Sequence, residues 1–184
     1  MITLLIYKTN YFYYRSESGI VYKVVNYSDK QDAAIIIDKI NIFLISVIRQ
    51  LKKDVDAGYN FGKRKYFVLN MIKFYDPTII KENPPTNGDT AYVVNKGDEF
   101  VMCLRDKSSK QLHDIELLKF VALHEISHIG SYEMGHNTEF WGNFSWLLKY
   151  LNKAGLYNPV DYSKQPVVYC GLRVAHNPFY MNLD

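Results

Sequence analysis

The sequence predicts one α+β domain, and three stretches of the chain carry that prediction. A long segment up to about residue 54 has the apolar stripe of a helix, and residues 91–104 have the pattern of an antiparallel hairpin. Residues 115–151 predict two consecutive helices. With 184 residues, no repeat and no linker-like tract, the chain is expected to form a single domain over residues 1–184.

Composition and charge argue against several classes of protein. A hydrophobic fraction of 48% and a charged fraction of 22% are usual for a soluble globular protein. The net charge of +3 is too small to indicate nucleic-acid binding alone. Basic clusters at 52–53 and 63–65 are more typical of a solvated face, with a weak DNA contact as the alternative.

Cysteine usage and the start of the chain bear on location. Cys103 and Cys170 are too few for a disulfide framework, so a reducing compartment is favoured, with one Cys103–Cys170 bridge left open. Residues 1–8 lack the features of a signal peptide and are too short to cross a bilayer. The sequence therefore predicts an intracellular protein, cytoplasmic or nuclear, without membrane association.

The first elements in order are two strands and a helix. Residues 2–7 and 20–25 predict the strands, with turn-forming residues at 16–19 between them. Ser28 or Asp29 can cap a helix that runs to about Asp54. Its apolar positions recur at spacings of three and four: Ile36, Ile40, Phe43, Val47 and Leu51.

The middle of the chain predicts a strand over residues 66–72 and then proline-containing loops at 76–77 and 84–89. The clearest hairpin follows, with strands at 91–94 and 100–104 around the turn at 95–98.

Two helices and a strand complete the chain. Asp114 is a good N-cap for a helix from about 115 to 129, which Gly130 is expected to end. Asn137 begins a second helix that reaches 151 and stops before Gly155. Residues 167–170 predict one further strand.

The helix over 115–129 carries His124-Glu125-Ile126-Ser127-His128, which has the pattern H-E-x-x-H. Positions four apart lie on the same helix face, so both imidazoles can bind one Zn²⁺. Glu125 projects about 100° away and is the candidate general base for an attacking water. The competing interpretation is that so short a pattern arises on a helix by chance.

A zinc hydrolase needs a third protein ligand and keeps its fourth position for water. The metzincin arrangement would require glycine at 131 and histidine at 134, where this chain has Ser131 and Met134. His136 is preferred, because it lies where the chain turns from one helix into the next. Glu139 and Glu133 are the alternatives, and Glu139 can instead orient a ligand.

Several other residues have weaker claims on the site. Tyr132, Tyr169 and Arg173 are candidates for stabilising an oxyanion, but no pattern favours one of them. His113 and His176 have no spacing that links them to H-E-x-x-H, so each is expected to lie outside the site.

The stretch from His124 to His128, followed by Gly135-His136-Asn137-Thr138-Glu139-Phe140-Trp141, resembles the WLM metalloproteases, which are related to SprT and Spartan. The hairpin at 95–105 and the helix near 32–54 extend the resemblance to about residues 32–151. The gap from His128 to His136 is about two residues longer than the usual WLM gap. Residues 1–31 and 152–184 are extensions outside the resemblance, and no SUMO- or ubiquitin-binding motif is recognisable in the tail.

This resemblance implies a small zincin-like fold of the minigluzincin type, in which a substrate strand pairs with an edge strand beside the metal helix. It implies one Zn²⁺ on His124, His128 and His136, with Glu125 catalytic. Members of the family are linked to DNA repair by proteolysis of DNA–protein crosslinks, and to SUMO biology.

The sequence therefore predicts a zinc metallopeptidase with a protein substrate, and DNA-bound or DNA-crosslinked proteins are one expected substrate class. One alternative is a non-enzymatic binding module for nucleic acid or a protein partner. The intact Glu125 argues against it, since binding needs no general base. A purely structural zinc is the other alternative, although such sites are usually closed by a fourth Cys or His.

Overall fold

The computed structural model describes residues 10–84, 88 and 90–183 of an α+β protein. Its α-helices are α1 (Lys30–Asp56), α2 (Lys65–Phe74), α3 (Ile115–Gly130) and α4 (Thr138–Lys153). Its strands are β1 (Tyr11–Arg15), β2 (Val21–Val25), β3 (Ile80–Glu82), β4 (Tyr92–Val94), β5 (Glu99–Met102), β6 (Val167–Tyr169) and β7 (Leu172–Val174).

Helix α3 lies at the centre of the packing, because α1, α2 and α4 all contact it. Its buried apolar side chains occupy several faces: Leu117, Leu118, Phe120, Val121, Ala122, Leu123, Ile126 and Ile129. A helix that is apolar on most sides is held inside a protein. The H-E-x-x-H stretch therefore sits on a fixed, central element.

Strands β1 and β2 form an antiparallel hairpin, with Tyr13 opposite Lys23. The predicted strand at 20–25 and the turn at 16–19 are confirmed. The partner strand is 11–15, which the sequence analysis missed, although its tyrosines and phenylalanine favour a strand. The predicted strand at 2–7 lies outside the described residues.

Helix α1 is confirmed, and it begins directly after Asp29. Asp29 does not cap the helix with its side chain; its carboxylate instead accepts a bond of 2.5 Å from Arg105 Nη1. Arg105 is fully buried and also pairs with Glu82 at 2.9 Å. This buried group joins the start of α1 to β3 and to the chain after β5.

The buried stripe of α1 is displaced from the predicted one. Ile36 and Phe43 are only half-buried. The buried positions are Ala33, Ala34, Ile37, Ile40, Asn41, Leu44, Val47 and Leu51. Within the described part of the chain, no helix combines the length and apolar content that crossing a membrane requires.

The predicted strand at 66–72 is wrong, because these residues form α2. Phe67, Val68 and Met71 are the buried residues, which is the spacing of one helix face rather than the alternation of a strand. So short an apolar run fits both periods, and packing against α3 decides between them.

Gly130 is the last residue of α3, and its role is in packing rather than in the helix-ending turn that the sequence predicts. It has no left-handed backbone, but a Cβ atom at this position would lie 2.6 Å from the Phe67 ring. Gly130 thus permits the close approach of α2 and α3. Asn70 also donates to the Gly130 carbonyl at 3.1 Å.

The central sheet has the order β3-β5-β4, with β5 parallel to β3 and antiparallel to β4. The predicted hairpin is confirmed. Asn95, Lys96 and Gly97 in its turn have φ values of 44°, 58° and 129°, the left-handed region that tight hairpin turns use. Strand β4 also contacts α3, so the hairpin lies beside the helix that carries H-E-x-x-H.

The C-terminal part contains one confirmed prediction and one element that was not predicted. The strand predicted at 167–170 is β6, and it pairs with the unpredicted β7. Cys170 lies between them and forms a disulfide with Cys103, which follows β5. This bridge, which the sequence left open, removes the argument from free cysteines for a reducing compartment. The intracellular location stays a prediction.

Candidate metal centre

The three predicted metal ligands meet at one point. His124 and His128 project from the same face of α3, and His136 reaches them from the loop between α3 and α4. The Nε2 atom of His128 lies 3.2 Å from that of His124 and 3.2 Å from that of His136. The Nε2 atoms of His136 and His124 are 2.8 Å apart.

Hydrogen bonding cannot account for this triangle of nitrogens. A ring nitrogen either carries a proton and donates or lacks one and accepts, and each bonded pair needs one of each. Three nitrogens therefore cannot satisfy all three pairs at once. A central cation can accept three lone pairs, and tetrahedral Zn–N bonds of about 2.0–2.1 Å place ligand nitrogens roughly 3.3 Å apart. The donor set fits Zn²⁺ in chemistry, and the two separations of 3.2 Å match that spacing, whereas the pair at 2.8 Å is closer together.

The surroundings keep these imidazoles neutral, which is the state that binds metal. Burial, with the neighbouring His128 and His136, lowers the pKa of His124 to about 3. Burial and the nearby His136 lower the pKa of His128 to about 4. Burial also lowers the pKa of His136, the most exposed of the three.

The loop that delivers His136 is held by Glu139, the residue weighed as an alternative ligand. The Glu139 carboxylate accepts hydrogen bonds from the backbone N–H groups of Tyr132 at 2.9 Å and Glu133 at 3.2 Å. Gly135 has φ of 87°, a left-handed turn that directs the chain back towards α3. Glu139 therefore holds the loop and is not part of the histidine cluster.

A buried polar group connects this loop to α2. Asn143 donates to Glu139 at 3.0 Å and to Ser131 at 3.1 Å, and it accepts a bond of 2.7 Å from Arg64. Burial alone would raise the pKa of Glu139. The hydrogen bonds from Tyr132, Glu133 and Asn143 outweigh burial and lower that pKa below its usual value.

The burial of Arg64 corrects the interpretation of residues 63–65 as a solvated basic cluster. Its guanidinium lies beneath α4, close enough to meet a Cβ atom on Gly142 at 3.0 Å. One of the three cations is therefore part of the interior and cannot contact DNA. The argument for DNA contact, which was already weak, then depends on the remaining basic residues.

Aromatic side chains of α4 cover the histidines. Phe140 stacks on His128 with ring centres 4.2 Å apart, and Trp141 stacks on His136 at 5.5 Å. Phe144 meets His124 edge-on. These contacts fix the ring orientations and exclude water from one side of the cluster.

Glu125 lies on α3 about 100° from His124 and about 60° from His128, as the helix period requires. Its side chain is buried, and among the described residues it has no hydrogen-bond or ion-pair partner. Burial raises its pKa to about 8. A carboxyl whose pKa is shifted by burial, and which lies beside three converging imidazoles, is a candidate functional group.

The three oxyanion candidates and His176 lie in different surroundings. Tyr132 is 81% exposed on the loop. Tyr169 is buried, and burial together with the Glu125 charge raises its pKa well above the usual range. Arg173 and His176 line a cleft that His124 also borders, which the sequence analysis did not predict.

His113 belongs to a second group of potential ligands, with Cys103 and Cys170. Its Nε2 atom accepts a bond of 3.2 Å from the Cys170 backbone N–H. Both sulfurs are joined in the disulfide, so this group offers no thiolate to a metal. His113 lies outside the histidine cluster, as predicted.

Comparison with known proteins finds relatives of viral origin. No family model and no solved structure matches the chain. It is 30% identical over 151 residues to uncharacterized protein R325 of Acanthamoeba polyphaga mimivirus, a match that covers 82% of this chain and 75% of that protein. It is 33% identical to uncharacterized protein 136R of Invertebrate iridescent virus 6, over 52% of this chain and 54% of that protein. It is 36% identical to uncharacterized protein 042R of Invertebrate iridescent virus 3, over 45% and 50%.

Proposed function

The chain belongs to the family of the mimivirus protein R325, and we propose that it is a zinc-dependent metallopeptidase that hydrolyses peptide bonds in protein substrates. The observation that carries the proposal is the combination of three converging Nε2 atoms with a buried, partnerless carboxyl one position along the same helix. A purely structural metal site does not need that carboxyl.

Zinc at this site would supply Lewis acidity, polarising the scissile carbonyl and lowering the pKa of water towards about 7. His124, His128 and His136 would hold it, leaving a fourth position open. Burial alone raises the pKa of Glu125 to about 8, but the charge of a bound zinc ion would favour the carboxylate form. That carboxylate can accept the proton of the attacking water and then pass it to the leaving amine. The stacked rings of Phe140 and Trp141 keep the imidazoles in place during these steps.

The hairpin offers a place for the substrate backbone. Among the described strands β4 pairs only with β5, so its other side has unpaired backbone groups. An extended peptide can add to such an edge as a further strand. The open side of β4 is compatible with the substrate pairing that the resemblance to WLM proteases implies.

A peptidase assay tests the proposal. We expect the zinc-loaded protein to cleave an unfolded protein substrate, a chelator to abolish cleavage, and added zinc to restore it. Cleavage that persists unchanged after metal removal would contradict a zinc mechanism. Adding a DNA-bound substrate at several salt concentrations tests the DNA-linked class, because phosphate contacts give a steep fall in affinity with salt.

Glu139, which holds the loop that carries His136, gives a further expected result. Replacing Glu139 by glutamine removes a charged acceptor from two backbone N–H groups and loosens the segment that positions His136. We expect zinc affinity to fall about tenfold, as for other residues that position ligands. Competition with a zinc-binding dye measures this, and Glu17→Gln, an exposed change in the β1–β2 turn, is the control. Equal affinity in both variants would show that Glu139 does not position the ligand.

A further inference from the structure

A cleft of about 720 Å³ opens beside the histidine cluster. One wall comes from α3 and α4, and the other comes from β7 and the residues after it, up to Leu183. Phe120, Trp141 and Phe144 give it an apolar surface. A concave apolar site of this size is typical of the places where proteins bind small ligands or single side chains.

The cleft is continuous with the proposed catalytic centre. His124 lines it, and so does Trp141, which stacks on His136. A substrate whose scissile carbonyl lies at the three imidazoles therefore has its adjoining residue within reach of this cleft. The C-terminal segment that forms the far wall lies in the part of the chain outside the family resemblance.

The cleft carries positive charge without negative charge among the described residues that line it. Arg173 is exposed and lines it, and within the described residues its guanidinium has no hydrogen bond or ion pair. No aspartate or glutamate is found among the described residues that line the cleft. An unpaired guanidinium beside an apolar surface suits a carboxylate, which it can bind through two parallel hydrogen bonds.

We propose that this cleft binds the substrate residue next to the scissile bond, as an apolar side chain with a carboxylate held by Arg173. The proposal rests on the proposed peptidase function. The carboxylate has two possible sources, the free C-terminus of a short peptide or an acidic side chain next to the apolar residue. Arg173 is thus a specificity-determining residue, rather than one of the oxyanion candidates named from the sequence.

Binding to the zinc-loaded full chain tests this assignment, read from the tryptophan fluorescence, to which Trp141 in the cleft wall contributes. The ligands are acetyl-leucine and its amide for the terminal carboxylate, and amidated acetyl-leucyl-glutamate and its glutamine analogue for the side-chain carboxylate. The proteins are the wild type, Arg173→Gln and Arg49→Gln, the last being an exposed arginine on α1. A zinc–carboxylate contact would persist in Arg173→Gln, so the variant isolates the guanidinium.

We expect at least one acid to bind about 10- to 100-fold more tightly than its neutral partner in the wild type and in Arg49→Gln. Arg173→Gln should lose that preference, and the pair that shows it identifies the carboxylate source. Equal binding of acid and neutral ligands, no binding, or a preference retained in Arg173→Gln overturns the assignment.

Peptide cleavage by the same proteins separates the two proposals. If the acid preference is present but the wild type cleaves no peptide, the peptidase function fails while the cleft assignment stands. If peptides are cleaved with the same kcat/KM whether or not they carry the carboxylate, the cleft assignment fails alone.

Discussion

Replacing Glu125 by glutamine is expected to reduce peptide hydrolysis by about 10²- to 10⁴-fold, the usual contribution of a general base. Glutamine keeps the size of the side chain but cannot take a proton from water. The carboxyl has no hydrogen-bond partner among the described residues, so the change breaks no contact and the variant should fold. Steady-state kinetics and metal analysis on the same sample measure the effect.

Glu116→Gln is the matched control, because Glu116 lies in the first turn of α3 and its side chain is 42% exposed. It should retain wild-type activity. Hydrolysis that continues at the wild-type rate in Glu125→Gln, with zinc still bound, would show that Glu125 is not the base.

The second large effect that we expect is a loss of stability when the Cys103–Cys170 bridge is removed. It links residues 67 positions apart and attaches the β6–β7 hairpin to the end of β5. Loop closure over that length restricts the unfolded chain, which raises the free energy of unfolding by roughly 4 kcal/mol. We expect the double variant Cys103→Ser/Cys170→Ser to lose about that amount in a denaturant titration.

Adding a reductant to the wild type provides the control, since it should lower the unfolding midpoint to that of the double variant and leave the variant unchanged. A wild type that unfolds at the same denaturant concentration with and without reductant would contradict a stabilising bridge. Cys170 lies three positions before Arg173, so the bridge helps to hold Arg173 in the cleft wall. We therefore expect its loss to weaken the preference of the cleft for acidic ligands as well.

The sequence predicted that His124, His128 and His136 meet, because the main constraint on that cluster is local. Two histidines four apart must share a face of any helix, and an N-cap such as Asp114 locates that helix. His136 was one of three alternatives, and only the loop geometry separates it from Glu139. The sequence does not show that the Glu139 carboxylate accepts hydrogen bonds from backbone N–H groups.

Features that depend on distant contacts were beyond sequence reasoning. The period of residues 66–72 fits both a strand and a helix, and only contact with α3 selects α2. The burial of Arg64 depends on Asn143, 79 positions away. The cleft around Arg173 exists because a disulfide and a C-terminal hairpin bring the tail beside α4. No local pattern encodes that approach.

Metal analysis of the purified protein tests the central claim most directly. We expect one zinc ion per chain, retained through dialysis and removed by a strong chelator. His128→Ala should lose the zinc, whereas His176→Ala should keep it, because His176 lies outside the histidine cluster. A protein without zinc, or one ion per chain still bound in His128→Ala, would contradict the assignment of His124, His128 and His136 as a metal site.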